Sequence, residues 1–399
     1  MKITKMNGLG SFGVWIDDFD WKSPEAWKEL EQLNLKYLVT VIRNNNQDAF
    51  EDILHNWNVI SRLRYSSSVQ LVDKYGENWS KPETYTDPTD RLMVESFKRI
   101  SVDGNKYSGG WVRVTGELND EGKNTGMFVD TELLWHSNGS GVKTFAPLVG
   151  LYGRRSMLGS STGFSVSPDW LDEQTESFRS ELEDLVAIHQ WVPYAIEPTG
   201  IAECEEHLKN VFAEPEPSEM PLIMTSPGGH KGVHLGLGTV SGFKDMPKAE
   251  SDALLEHLTK ELTSPKWTMD VWWPNDQGDF YLFDNSITMH NRTFQPGTDI
   301  RAALQKRLGY RVAGDYASNQ EWIPSNDPAW LEERNKMWPL HRFWGEVGEL
   351  RHLRALANLM STEEEKQQWW DRVVANRPDI APRLGWTEEW IATELAKFY

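Results

Sequence analysis

Two histidines close strand-like runs, and the residues around them have the makings of a metal site. His136 ends the run Glu132-Leu133-Leu134-Trp135-His136. Asn138 follows two residues later, and Gly139, Ser140 and Gly141 then release the chain into a loop. Residues i and i+2 of a strand point to the same face, so His136 and Asn138 share a face while Ser137 turns aside. Two imidazoles and a carboxylate on one face of an octahedral ion leave the opposite face open for a cosubstrate and oxygen, as in non-haem ferrous oxygenase sites. The second imidazole is His290, in Asp284-Asn285-Ser286-Ile287-Thr288-Met289-His290. Where such a site carries its carboxylate, this chain has Asn138, which keeps a carbonyl oxygen but lacks the charge. Glu132 lies on the same face, too far back along the strand to replace it.

A cosubstrate with a distal carboxylate calls for arginine, whose planar fork binds carboxylate through two bonds. Arg301, Arg307 and Arg311 follow His290 on a stretch, Ile300–Val312, that reads as a strand. Arg154 and Arg155 offer a further basic pair, either at the surface or toward a substrate anion. His230 and His234 flank a glycine turn and read as hairpin residues. His189 reads as part of a helical face.

These side chains need strands to hold them, and the chain supplies many. Ser23-Pro24 opens a helix running to about Asn34, since serine caps and proline suits the first turn. Lys36–Arg43 is a buried strand by its β-branched content, and Gln47–Arg64 has helical apolar spacing. Residues 65–92, polar with scattered glycine and proline, read as a mobile loop covering some other part of the molecule. Trp111–Thr115 is strand-like, 117–125 a hairpin tip, and 142–153 a strand pair. Gly159–Ser165 is a short polar strand or turn, and Ser167–His189 a long helical region. Ala213–Ser218 reads as an exposed linker, 221–236 as two strands about a turn, and 247–263 as an amphipathic helix. Strands are expected at Trp267–Trp273 and Gly278–Asn285. From about residue 319 a helical period takes over, with helix starts at Asn326, at Ser361 with Glu364 in a capping box, and at Thr387. The predicted organisation is a catalytic body over 1–318 and a helical C-terminal extension over 319–399, three or four helices packed on the body or on a second subunit in a homo-oligomer.

The totals bound the function. A chain of 399 residues, 39% hydrophobic and 25% charged, buries a large core in one or two domains. Its net charge of −19 repels phosphate backbones and speaks against duplex nucleic acid as a partner. The twenty tryptophans read as core and interface residues rather than stacking platforms. A single cysteine, Cys204, allows no internal disulfide. With no apolar span for a membrane and no signal-like run at the N-terminus, the expected location is the cytoplasm. The sequons at Asn78, Asn138 and Asn291 then read as chance matches.

Taken in order, these segments resemble the TauD/TfdA family of Fe(II)- and 2-oxoglutarate-dependent dioxygenases. Leu133-Leu134-Trp135-His136-Ser137-Asn138 resembles the family's Trp-His-Thr-Asp segment. Thr162, in Gly159-Ser160-Ser161-Thr162-Gly163, falls where the family has a threonine that contacts 2-oxoglutarate. Thr225–Leu235 resembles a family hairpin, and Trp273–Asp276 with Phe283–His290 its metal-binding C-terminal half. Arg307-Leu308-Gly309-Tyr310-Arg311 resembles the strand whose last arginine clamps the far carboxylate. The likeness spans about residues 8–315 and implies an α+β fold, a double-stranded β-helix (jelly roll) flanked by helices. It implies Fe(II) on His136, Asn138 and His290, 2-oxoglutarate on Thr162 and Arg311 with Arg301 and Arg307 as the competing clamps, and a small-molecule substrate hydroxylated with O2. The departure at Asn138 leaves four readings: a hydroxylase with weaker iron binding, a halogenase with chloride in the vacated place, a catalytically silent ligand-binding relative, or an asparagine that deamidates at the Asn138-Gly139 step.

Overall fold

The computed structural model describes residues 1–62, 82–88, 111–128, 132–140, 145–190, 217–320 and 360–398, with isolated residues between these stretches. In chain order the elements are β1 (Lys2–Lys5), β2 (Val14–Asp17), α1 (Pro24–Tyr37), β3 (Val39–Ile42), α2 (Phe50–Ile60), β4 (Ser61–Arg62), β5 (Val112–Val114), β6 (Leu133–His136), β7 (Leu148–Arg155) and β8 (Ser160–Val166). They continue with α3 (Pro168–Asp172), α4 (Glu176–Glu183), β9 (Val186–His189), β10 (Ser218–Pro221), β11 (Ile223–Thr225), β12 (Lys231–Val233), β13 (Val240–Phe243) and α5 (Lys248–Leu262). Then come β14 (Thr268–Trp272), β15 (Phe280–Asp284), β16 (Thr288–Phe294), α6 (Ile300–Lys306), β17 (Leu308–Tyr316), α7 (Glu363–Asn376) and α8 (Glu388–Leu395).

Two sheets carry the body. The larger runs β1-β2-β3-β15-β7-β17-β4, with β5 also on β17; the smaller runs β14-β8-β16-β6. Pairing is antiparallel except between β2 and β3. The alternation in β15 explains the layering. Phe280 and Leu282 join Trp27, Leu30 and Trp57 of α1 and α2 in one core. Tyr281 and Phe283 join Phe164, Val166 and Val271 of the smaller sheet in another. A strand apolar on both faces is buried on both, so the larger sheet lies between helices and the second sheet. A third core, with Trp170, Leu258 and Trp267, gathers α3, α5 and β12 against Met289. The result is an α+β fold.

Local chemistry sets the boundaries. The Ser23 hydroxyl accepts from Ala26 N at 3.2 Å and Pro24 takes the first turn. α1 runs past Asn34 to Tyr37 because Asn34 is a tether rather than a stop. Its amide donates to Leu282 O at 2.8 Å, and its oxygen accepts from Tyr316 Oη at 2.7 Å. The strand read over 36–43 is therefore only β3. The helix expected over 47–64 covers Phe50–Ile60 and gives way to β4. The long helix expected over 167–189 is instead α3, α4 and a strand. Thr175 caps α4, and Val186–His189 pairs with both β10 and β13. His189 thus sits on a strand.

The basic stretch after His290 also departs from expectation. The Asp299 carboxylate caps Ala302 N at 3.0 Å, so Ile300–Lys306 is helical. Arg301 is exposed on that helix, and only from Leu308 does the chain become a strand. Gly159–Ser165 resolves to β8, every residue of which is buried. In the extension the capping box is formed by Thr362 and Glu365, one residue later than expected, and Thr387 caps α8 as expected. The linker at 213–216, most of the loop at 65–92 and the helix start at Asn326 lie outside the described residues.

The C-terminal helices are tied to α2. Arg377 donates to Asn58 O at the end of α2 (2.5 Å) and to both oxygens of Glu349 (2.8 and 3.1 Å); Arg383 adds a 3.0 Å bond to Glu349. No described helix is long and apolar enough to cross a membrane.

Candidate active site

β6 and β16 bring the two histidines side by side, with His290 opposite His136 in the ladder. Their ring centroids are 4.2 Å apart. Two imidazoles bound through nitrogen at about 2.1 Å, at right angles on one ion, hold their centroids roughly 4.5 Å apart, so the spacing suits a shared ion. His136 Nδ1 is 2.7 Å from Leu134 O. A carbonyl only accepts, so Nδ1 carries the proton and Nε2 keeps its lone pair, the usual preparation of a ligand histidine. Burial drives the His136 pKa down to about 4, and the positive fields of Arg311 and Arg292 add to the drop. Burial, with help from His136 and Arg311, holds His290 well below the ordinary histidine range. Both rings are neutral at pH 7.

Asn138 joins them just beyond β6. Its Nδ2 stands 3.1 Å from His290 Nε2 and donates to that nitrogen. For the amide oxygen to face an ion held by His290, the amide must turn over, which requires no movement of the backbone. That backbone is pinned: Asn138 N donates to Asn285 Oδ1 at 2.8 Å, and Asn285 Nδ2 donates to Asn138 O at 2.7 Å and to Ala146 O at 3.0 Å. Ser137 turns its hydroxyl to Thr288 O at 2.8 Å. Asn285 and Thr288 belong to the turn that leads into His290. That turn is itself fixed by buried Asp284, which accepts from Ser286 N and Ile287 N. One turn therefore positions both the asparagine and the second histidine.

The pocket at these residues encloses about 490 Å³ including its mouth. Leu133, His136, Thr162, His290 and Arg292 come to it from strands of the smaller sheet and Leu151, Tyr310 and Arg311 from strands of the larger; Asn138, Arg307 and Trp273 complete the lining named here. Thr162 is buried next to Arg292 in the β8–β16 ladder. Arg292 was not among the sequence candidates. It stands two residues beyond His290 on the same strand face, so the spacing that linked His136 to Asn138 also marks it. Its Nη2 donates to Phe128 O at 2.9 Å.

Arg307 is 5% exposed, with its guanidinium 5.9 Å from the Trp273 ring centroid. Its Nε and Nη1, and the Nε of Arg311, are buried without a hydrogen-bond partner. Burial lowers both arginines to about 10. No carboxylate lines the pocket among the described residues. Buried guanidinium N–H groups left open are costly, and they suit a carboxylate that enters from outside.

The remaining candidates lie elsewhere. Arg154 pairs with Asp48, and Arg155 with Lys306 O and Glu117; neither lines the pocket. His230 packs edge-on against Phe12, and buried His234 meets Ser286 O through Nδ1 at 2.8 Å. Both serve the hairpin region. Glu132 accepts from Phe294 N rather than reaching the histidines.

The donor set therefore fits a metal ion through two neutral imidazoles and, after an amide turn, one neutral oxygen. The arginine set fits an anionic co-ligand. Known structures share the architecture. The structure titled as AAD-2 in complex with Mn(II) and N-oxalylglycine matches with a TM-score of 0.55 at 20% identity, over 82% of this chain and all of that one. A taurine dioxygenase from Burkholderia xenovorans matches with a TM-score of 0.52 at 15% identity, over 82% of this chain and 95% of that one. A search of curated proteins finds no match. The family model described as "Taurine catabolism dioxygenase TauD, TfdA family" matches residues 3–306. The chain belongs to that family, whose members are Fe(II)- and 2-oxoglutarate-dependent oxygenases.

Proposed function

We propose that this 2-oxoglutarate-dependent oxygenase hydroxylates a C–H bond of a small molecule that carries an anionic group. The observation that carries this reading is the pair of guanidiniums, Arg307 and Arg311, that face a pocket lined by no carboxylate among the described residues. One anionic partner is 2-oxoglutarate, and the other is the substrate. His136, His290 and, after an amide turn, the Asn138 oxygen would hold the iron. We read the two facing sheets as a double-stranded β-helix, and residues 319–399 as an extension to it.

The two arginines divide the work by position. Arg311 acts electrostatically on both imidazoles, whereas Arg307 couples to Tyr281 instead. Arg307 also sits over Trp273, two residues along β14 and its extension from Val271, the ladder partner of Thr162. Arg307 with Thr162 therefore holds the far carboxylate of 2-oxoglutarate, and Arg311 orients the substrate anion nearer the metal. This reverses the order expected from the sequence, where Arg311 took the clamp.

Bound iron with 2-oxoglutarate supplies oxygen activation and the oxidant for C–H cleavage. The protein's own part is positional. His136 presents Nε2 with its tautomer set by Leu134 O. Asn285 fixes the Asn138 backbone, and apolar Leu133, Phe128 and Leu151 keep water from the reacting bond. A second reading, chlorination, draws on Asn138, which withholds the carboxylate charge; its amide would have to turn off the ion for chloride to take its place.

The test is an anaerobic titration with Fe(II) and 2-oxoglutarate, then admission of oxygen with a panel of small carboxylates, sulfonates and phosphates. A metal-to-ligand charge-transfer band, succinate release and a product heavier by one oxygen are expected. Chlorinated product in chloride buffer selects the second reading. Succinate at background over the whole panel leaves a silent ligand-binding relative.

A further inference from the structure

The charge inventory of the pocket has a consequence for how the metal seat fills. The ion's three donors are uncharged: His136 and His290 are neutral, and Asn138 is an amide. Three guanidiniums share the pocket, and two of them, Arg307 and Arg311, have no ion-pair partner among the described residues. A dication entering alone therefore meets neutral donors and uncompensated positive charge. In a site with a carboxylate at residue 138, one negative charge is present before any cosubstrate arrives. Here none of the described lining residues supplies it.

We infer that Asn138 makes metal occupancy conditional on an anion: the metal and 2-oxoglutarate bind this chain cooperatively, and the dicarboxylate brings the negative charge that residue 138 lacks. The inference rests on the reading of the site as a seat for Fe(II) and 2-oxoglutarate. Linkage makes the effect reciprocal, so the metal tightens 2-oxoglutarate by the same factor that 2-oxoglutarate tightens the metal. At low 2-oxoglutarate the protein stays free of metal. The seat then responds to cosubstrate supply as well as to metal supply. Any 2-oxoglutarate chelates a metal to some degree, so the part owed to residue 138 is the excess over an Asn138→Asp variant of the same chain.

The experiment measures Mn(II) binding to the full-length chain by the electron paramagnetic resonance signal of free Mn(II), in chloride-free buffer, with and without saturating 2-oxoglutarate. Mn(II) binding to 2-oxoglutarate alone is subtracted. For the native chain, 2-oxoglutarate is expected to lower the Mn(II) dissociation constant by about 10- to 100-fold, within the span of ordinary binding couplings. Asn138→Asp is expected to bind bare Mn(II) at least about tenfold tighter than the native chain, with a smaller response to 2-oxoglutarate. Arg311→Gln, which removes the cation nearer the imidazoles, is expected to tighten bare Mn(II) binding several-fold. Native binding that is tight without 2-oxoglutarate overturns the inference, and so does an equal response in Asn138→Asp. Both outcomes leave the metal and cosubstrate reading standing, because binding is still seen. Absence of Mn(II) binding in every arm removes that reading and the inference together.

Discussion

Replacing Asn285 by alanine isolates the pin that holds residue 138 in place. Asn285 is fully buried and makes three hydrogen bonds of 2.7 to 3.0 Å, two to the Asn138 backbone and one to Ala146 O. Each such bond is worth about 1 kcal/mol net. Alanine also leaves the Asn138 N–H and two carbonyls without partners, so the loop loses about 3 kcal/mol of tethering. That corresponds to a rise on the order of 100-fold in the open fraction of the 137–140 turn. Hydrogen exchange read by mass spectrometry on the peptide spanning residue 138 reports it directly, with a β17 peptide as internal control. Asn285→Asp keeps the acceptor for Asn138 N–H and loses both donated bonds, so its exchange lies between native and alanine. The metal dissociation constant rises along the same series, by 10-fold or more for alanine. If Asn285→Ala folds yet the turn exchanges at the native rate and metal affinity stays within twofold, the positioning argument is wrong.

Four further outcomes follow from other parts of the molecule. Arg307→Gln raises the KM for 2-oxoglutarate about tenfold or more, the worth of a charge-assisted bond, whereas Arg311→Gln lowers kcat/KM for the substrate; steady-state kinetics with each component varied separates them. Gly163→Ala weakens the smaller sheet beside Thr162, because the added Cβ lies 2.7 Å from Asp270 Oδ1 and closer still to Asn291 Oδ1; thermal unfolding reads the loss. Arg377→Ala strands buried Glu349 and costs about 3 kcal/mol, the low end for a broken buried pair because Arg383 stays; limited proteolysis then cuts the extension first. Burial alone would raise Asp379, but hydrogen bonds and charge from Arg377, with Arg62 and Arg383, hold it down to about 2. Its folded pKa lies below the unfolded value, so its contribution is present above about pH 4 and fades toward pH 2; pepsin sensitivity of the extension rises across that window.

The strands were legible because their signal is local. Phe280–Asp284 and Thr268–Trp272 announce themselves by β-branched and aromatic content, and the helix over Lys248–Leu262 by its period. The buried tryptophans Trp27, Trp111 and Trp170 bear out their reading as core. Three boundaries were hidden for a common reason, a polar residue whose partner is distant or whose capping role is not marked by residue type alone. Asn34 looks like a helix stop but tethers to Leu282 and Tyr316, hundreds of residues away. Asp299 starts a helix inside a run whose β-branched and basic residues pass for strand. Thr175 and the pairing of Val186–His189 split an apparent helix in two. His189 moved from a helix to a strand on that account.

The site was legible to a different depth, and the difference lies in what fixes each residue. The two-residue period of a strand points His136 and Asn138 the same way, yet β6 ends at His136. Asn138 reaches His290 because Asn285 grips its backbone and Ser137 bonds Thr288. Those contacts join positions about 150 apart in the chain, which no local period encodes. The same period does operate on β16, where His290 and Arg292 face Phe164 and Thr162 in an unbroken ladder. There it marks Arg292, which lies closer to His290 than the arginines of the strand that follows. Strand period therefore identifies which residues share a wall of this pocket, and tertiary hydrogen bonds decide which loop residue joins them. A change at residue 285 or 288 is for that reason expected to disturb the metal seat as much as a change in a residue that lines it.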